Sequence, residues 1–97
     1  MYLVHLTFLS PQRKHFPCNI REMIKSASEP GDGLEHISVH QRTGADPVIG
    51  LFLRSHSLDD TERTASRLWH RTVKNHSELG EYQLFRCEVP LIDDPFP

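Results

Sequence analysis

The chain has little of what marks the specialised classes of protein. Its 97 residues include only two cysteines, Cys18 and Cys87, one tryptophan and five glycines. Two distant thiols build neither a disulfide framework nor a zinc site, so buried or idle cysteines are expected. No apolar run approaches the roughly 20 residues that span a bilayer. The opening Met1-Tyr2-Leu3-Val4-His5-Leu6 has no basic region, long apolar stretch or small-residue cleavage site; no membrane partner and a cytoplasmic location are the expectation. An excess of either charge is missing too. The 11 Lys and Arg face 13 Asp and Glu, for a net charge of -2, and the bases are dispersed, which argues against binding nucleic acid by phosphate neutralisation. HExxH and paired CxxC spacings are absent, although seven histidines lie at 5, 15, 36, 40, 56, 70 and 76.

What is present is one ordinary domain's worth of periodic pattern, with 37% hydrophobic and 25% charged residues. The most continuous apolar run, Val48-Ile49-Gly50-Leu51-Phe52-Leu53-Arg54, predicts a central strand. Its Ile49, Leu51 and Leu53 share one face, and Val48, Gly50, Phe52 and Arg54 the other. Tyr2 to Leu9 alternates in the same way until Ser10-Pro11, with Val4, Leu6 and Phe8 opposite Leu3, His5, Thr7 and Leu9. Ile20, Met23, Ile24 and Ala27 follow helical spacing, with Asn19 and Glu22 placed as a capping box, and Glu29-Pro30-Gly31-Asp32-Gly33 ends that helix. Leu34 to Gln41 reads as a strand with Ile37 and Val39 on one side and His36, Ser38 and His40 on the other. The short turn to Pro47 makes it a hairpin with the central strand, Ser38 opposite Gly50 and His36 opposite Phe52. Ser57 caps a second helix carrying Asp59 and Asp60 in its first turn and Thr61, Ala65, Leu68, Trp69, Thr72 and Val73 at helical spacing, to about Lys74. A last strand, Glu81 to Val89, is read with Phe85, Cys87 and Val89 on one face and Tyr82, Leu84, Arg86 and Glu88 on the other. Pro90 stops it, and residues 91–97, with apolar Leu91, Ile92 and Phe96, form an extended tail to the domain of residues 1–90.

The order β-α-β-β-α-β predicts an α+β, ferredoxin-like fold: a four-stranded antiparallel sheet with both helices on one face and the first and third strands central. The covered face is read as Val4, Leu6, Phe8, Ile37, Val39, Ile49, Leu51, Leu53, Phe85, Cys87 and Val89. The open face collects Leu3, His5, Thr7, His36, Ser38, His40, Val48, Gly50, Phe52, Arg54, Tyr82, Leu84, Arg86 and Glu88, too apolar for an ordinary wet surface. A second copy of the chain is the simplest cover, since two-fold homodimers are the commonest soluble oligomers.

With this order and a half-apolar open face, the chain resembles the dimeric α+β-barrel group of ferredoxin-like proteins, whose sheets pack face to face and often enclose a cavity. The stretches Asp32-Gly33-Leu34-Glu35-His36, Gly50-Leu51-Phe52-Leu53 and Arg86-Cys87-Glu88-Val89-Pro90-Leu91 are also similar to a group of short bacterial proteins without an assigned activity. The resemblance implies a fold and a dimer, and no site residues.

Candidate chemistry therefore rests on the open face. Gly50 leaves a dent near Ser38, with His5 and Thr7 on one side and Phe52 and His36 adjacent; it could seat a small ligand or admit a side chain of the partner subunit. His5 and His36 suit general acid or base work near neutral pH, although no carboxylate is evident to orient either. Strand spacing puts His5 about 9–10 Å from the strand carrying His36 and His40, too far to share a metal ion without help across a dimer interface, so no metal and no cofactor are expected. Cys18, before the first helix, could be reactive, but pairing with Cys87 at the opposite end of the sheet conflicts with the fold. Arg13-Lys14-His15 reads as a solvated loop. Phe52, Tyr82, Arg54 and Arg86 partly match an RNA-recognition surface, without the Gly-Phe-rich strand such domains carry. The leading expectation is a non-catalytic homodimeric accessory or small-ligand or partner-binding module. The alternative is a small cofactor-free enzyme using His5 or His36, and an RNA-binding module ranks third.

Overall fold

The structure, a computed structural model, describes residues 2–9, 15–41, 47–55 and 57–89. Alternation of apolar side chains produces four strands, β1 (Tyr2–Leu9), β2 (Leu34–His40), β3 (Val48–Leu53) and β4 (Gln83–Glu88), and helical spacing produces α1 (Ile20–Ala27) and α2 (Leu58–Asn75). The strands form one antiparallel sheet in the order β2-β3-β1-β4, with the expected β-α-β-β-α-β succession. β1 and β3 are its central strands. The hairpin register places Ser38 opposite Gly50 and His36 opposite Phe52, as the alternation predicts.

Val4, Leu6, Phe8, Ile37, Ile49, Leu51 and Leu53 supply the sheet's side of the core, and Ile20, Met23, Ile24, Ala27, Ala65, Leu68 and Trp69 supply the helices' side. Phe16 closes one end. Its ring lies 5.4 Å from Phe8 and 4.7 Å from Tyr82, and Phe8 lies 4.5 Å from Trp69, distances at which aromatic pairs attract beyond simple burial. Thr61 and Thr72 are buried without penalty because each hydroxyl donates back along α2, to Ser57 O at 2.7 Å and Leu68 O at 2.8 Å.

Ser57 caps α2 as expected, accepting from Asp60 N–H at 3.1 Å. The capping box expected at Asn19 and Glu22 is not formed: the Asn19 side chain makes no cap bond, and α1 instead starts from backbone bonds, Ile20 N–H to Pro17 O and Met23 N–H to Asn19 O. A capping box occurs ten residues later. Glu29 and Asp32 close it around a 3-10 turn, Pro30–Asp32, where the sequence suggested only an ending. Arg71 of α2 reaches this turn, donating to Asp32 Oδ2 at 2.8 Å and Ala27 O at 3.1 Å, so the two helices are tied at one end by a charge-assisted bond. Gly33 follows with φ +71°, and its Arg54 neighbour donates to Gly33 O at 2.8 Å.

The last strand departs from its expected alternation. The β1–β4 ladder pairs Leu6 with Cys87 and Thr7 with Arg86, then jumps to Phe8 with Leu84, a β-bulge between Thr7 and Phe8. One extra residue on β4 inverts every side chain beyond it. Tyr82 and Leu84, expected on the open face, therefore turn inward: Tyr82 is buried with its hydroxyl donating to His15 O at 2.6 Å, and Leu84 packs on the core. Phe85, expected in the core, is left 54% exposed beside Arg86, whose guanidinium lies 5.3 Å from its ring.

The residues 10–14, including Arg13 and Lys14, the hairpin turn 42–46, His56 and the tail from Pro90 with Leu91, Ile92 and Phe96 lie outside the described residues. No helix among the described residues is long and apolar enough to cross a membrane.

Candidate functional site

The molecule measures 37 × 33 × 19 Å, and its short dimension is that of one sheet plus one helix layer at about 10 Å per layer. Both helices lie on the core side, so among the described residues no element covers the sheet's other face. Leu3, His5, Thr7, Ser38, Val48 and Phe52 are partly buried there, while His36, His40, Arg86 and Glu88 are exposed; Arg54, one residue past β3, is exposed and lines a cleft with Gly33 and Leu34. Apart from Tyr82 and Leu84, which turn inward, and Arg54, which lies beyond the end of β3, the residues expected on this face lie on it.

Gly50 sits at its centre and is buried. The expected dent is not open. A Cβ at this position would run into Ser38 Oγ and would lie 3.1 Å from Leu3 Cδ1 and 3.7 Å from His5 Cδ2. The space released by the missing side chain is filled from within the chain, by Ser38 from one side and by Leu3 and His5 from the other. A small-ligand seat at Gly50 itself is thus replaced by close packing of neighbouring side chains.

The rings of His5 on β1 and His40 on β2 approach across β3 until their centroids are 6.5 Å apart, edge to face at 66°. The strands are two spacings apart, yet the imidazoles are neighbours. On the other side of His5, Glu88 occupies the directly opposed position on β4. His5 thus stands between a second imidazole and a carboxylate, and its pKa is lowered from the ordinary 6.5 by partial burial first and by His40 second, with Glu88 pulling the other way. Glu88 also lies 3.6 Å from the Arg86 guanidinium, both groups being more than half exposed. His36 is not part of this group. It stacks on Phe52 at 5.4 Å, one step along the sheet.

Glu88 is the member that sequence reasoning passed over as an orienting carboxylate. Its signal was its open-face position in β4, but the residue it opposes depends on the β4 register, which the bulge sets. Among the described residues no three His, Cys, Asp or Glu side chains gather into a metal cluster.

Two clefts lie away from this face. One of about 550 Å³ is lined by Ser28, Glu29, Pro30, Gly33, Leu34 and Arg54, but Arg54 is already engaged by Glu35, to which its Nε donates at 2.8 Å. The other, about 260 Å³, runs beside Pro17, Cys18, Ile20, Arg21, Val39 and Gln41. Cys18 is exposed there and Cys87 lies against α2, both as free thiols. Burial first, and Glu62 second, push the Cys87 thiol up to about 11, and its S–H donates to Glu62 O at 3.3 Å, so Cys87 is a packing residue rather than a nucleophile. For RNA recognition, the inward turn of Tyr82 removes one of the two aromatic platforms from the open face.

Comparison with protein-family models, with curated proteins and with solved structures finds no match to this chain.

Proposed function

We propose that the protein is a non-catalytic homodimeric binding module whose open sheet face packs against the same face of a second copy. The observation that supports this reading is a sheet face that no element among the described residues covers, with Leu3, Val48 and Phe52 only partly buried on a slab two layers thick. An apolar strip of this kind favours association, and a two-fold partner presents the same strip to it. The arrangement agrees with the face-to-face packing of the dimeric α+β-barrel group that the chain resembles.

Sedimentation equilibrium tests the reading. The wild-type chain is expected to be dimeric at micromolar concentration, and Phe52→Arg to be monomeric with an unchanged far-UV spectrum. A wild-type monomer at high micromolar concentration removes the reading; a dimer indifferent to Phe52→Arg places the interface elsewhere.

A second reading, a cofactor-free acid/base enzyme, is favoured by one observation, the position of Glu88 opposite His5. A carboxylate and an imidazole side by side in a cavity between two sheets would be equipped for proton transfer. Its requirement is strict: His5→Ala must abolish a turnover that His36→Ala, outside the group, leaves largely intact.

A further inference from the structure

Two imidazoles held close together on one sheet face can share a metal ion. Each ring nitrogen bonds a zinc-type ion at about 2.0–2.1 Å, so each ring centre stands roughly 3 Å from the ion and two rings sharing it lie about 5–6 Å apart. His5 and His40 stand edge to face 6.5 Å apart, somewhat wider than that spacing, so a side-chain rotation is needed to bring both rings onto one ion. Both come from strands in a continuous hydrogen-bonded sheet, His5 opposite Gly50 and His40 opposite Val48 on the strand between them.

We propose that His5 and His40 form a two-histidine half-site for a late first-row divalent cation, zinc, nickel or copper, on the open sheet face. Imidazole nitrogen suits these ions and suits neither magnesium nor calcium, which take oxygen. The remaining coordination positions belong to water, since Glu88 lies on the far side of His5 and is paired with Arg86. The site is complete within one chain, so it does not depend on the dimer.

The test is a titration of the full-length chain, freed of metal by chelation, with zinc chloride by calorimetry and with substoichiometric nickel chloride by NMR of the histidine rings. The expected result is one zinc per chain, with the His5 and His40 ring signals broadened first by nickel and with magnesium chloride giving no heat. His5→Gln and His40→Gln should each weaken zinc binding about tenfold or more, whereas His36→Gln and His70→Gln should leave it within about twofold. Thermal melts identify any variant that fails to fold; in that event the ring signals of the wild-type chain decide. Broadening at His36 or His70 equal to that at His5 and His40, or unchanged zinc affinity in both folded Gln variants, overturns the proposal.

Discussion

Phe8 and Leu84 face each other across β1 and β4, although strict alternation from Cys87 would have put Phe85 on the core side of the strand. This single step decides which β4 side chains enter the core.

Truncation distinguishes the bulged strand from a regular one. Leu84→Ala should cost about 1–3 kcal/mol of stability, since Leu84 packs on the core without being fully enclosed. Phe85→Ala, at an exposed position, should cost less than about 1 kcal/mol. Urea unfolding of the two variants reads the order directly, and a regular strand would reverse it.

Gly33 carries two demands at once. Its φ of +71° is left-handed, and a Cβ there would collide with the Arg54 carbonyl oxygen, a backbone atom that cannot swing aside. Gly33→Ala should therefore cost about 2 kcal/mol or more in urea unfolding. Gly31→Ala, two residues earlier with open space around its added methyl, should change stability by about 0.5 kcal/mol or less.

Acid should destabilise the fold in part through His5. The native pKa of His5 is lowered below 6.5, so in the window just below 6.5 the unfolded chain binds a proton more readily than the native one. The contribution is fully present above 6.5 and is lost as pH falls through the native pKa. Urea midpoints measured in a metal chelator at pH 7.5 and 5.5 should fall on acidification for the wild-type chain, and fall less for His5→Gln. An equal decline in both proteins would assign the acid sensitivity to other groups.

Much of this molecule is legible in its amino-acid order, and the parts that are not share a cause. The alternation of Val4, Leu6 and Phe8 against Leu3, His5 and Thr7, and the Ser38–Gly50 register, follow from period two and a short turn. Tyr82, Leu84 and Phe85 were misplaced because a bulge carries no marker in a strand whose residues are apolar or amphipathic on both sides. The approach of His5 and His40 escaped notice because strand spacing measures backbones. Side chains as long as imidazole lean across a neighbouring strand, so the distance between rings can be much shorter than that between strands. Glu88 became a neighbour of His5 only once the β4 register was fixed.

The place of β1 in the sheet also governs when the fold can be completed. β1 comes first in the chain, yet its two partners are β3, at Val48–Leu53, and β4, at Gln83–Glu88. Its Val4, Leu6 and Phe8 have no finished surface to bury against until both have been synthesised. During translation the nascent chain must carry one unpaired edge of its central strand until Glu88 has left the ribosome, and the β1–β4 ladder is the longest-range pairing the sheet requires.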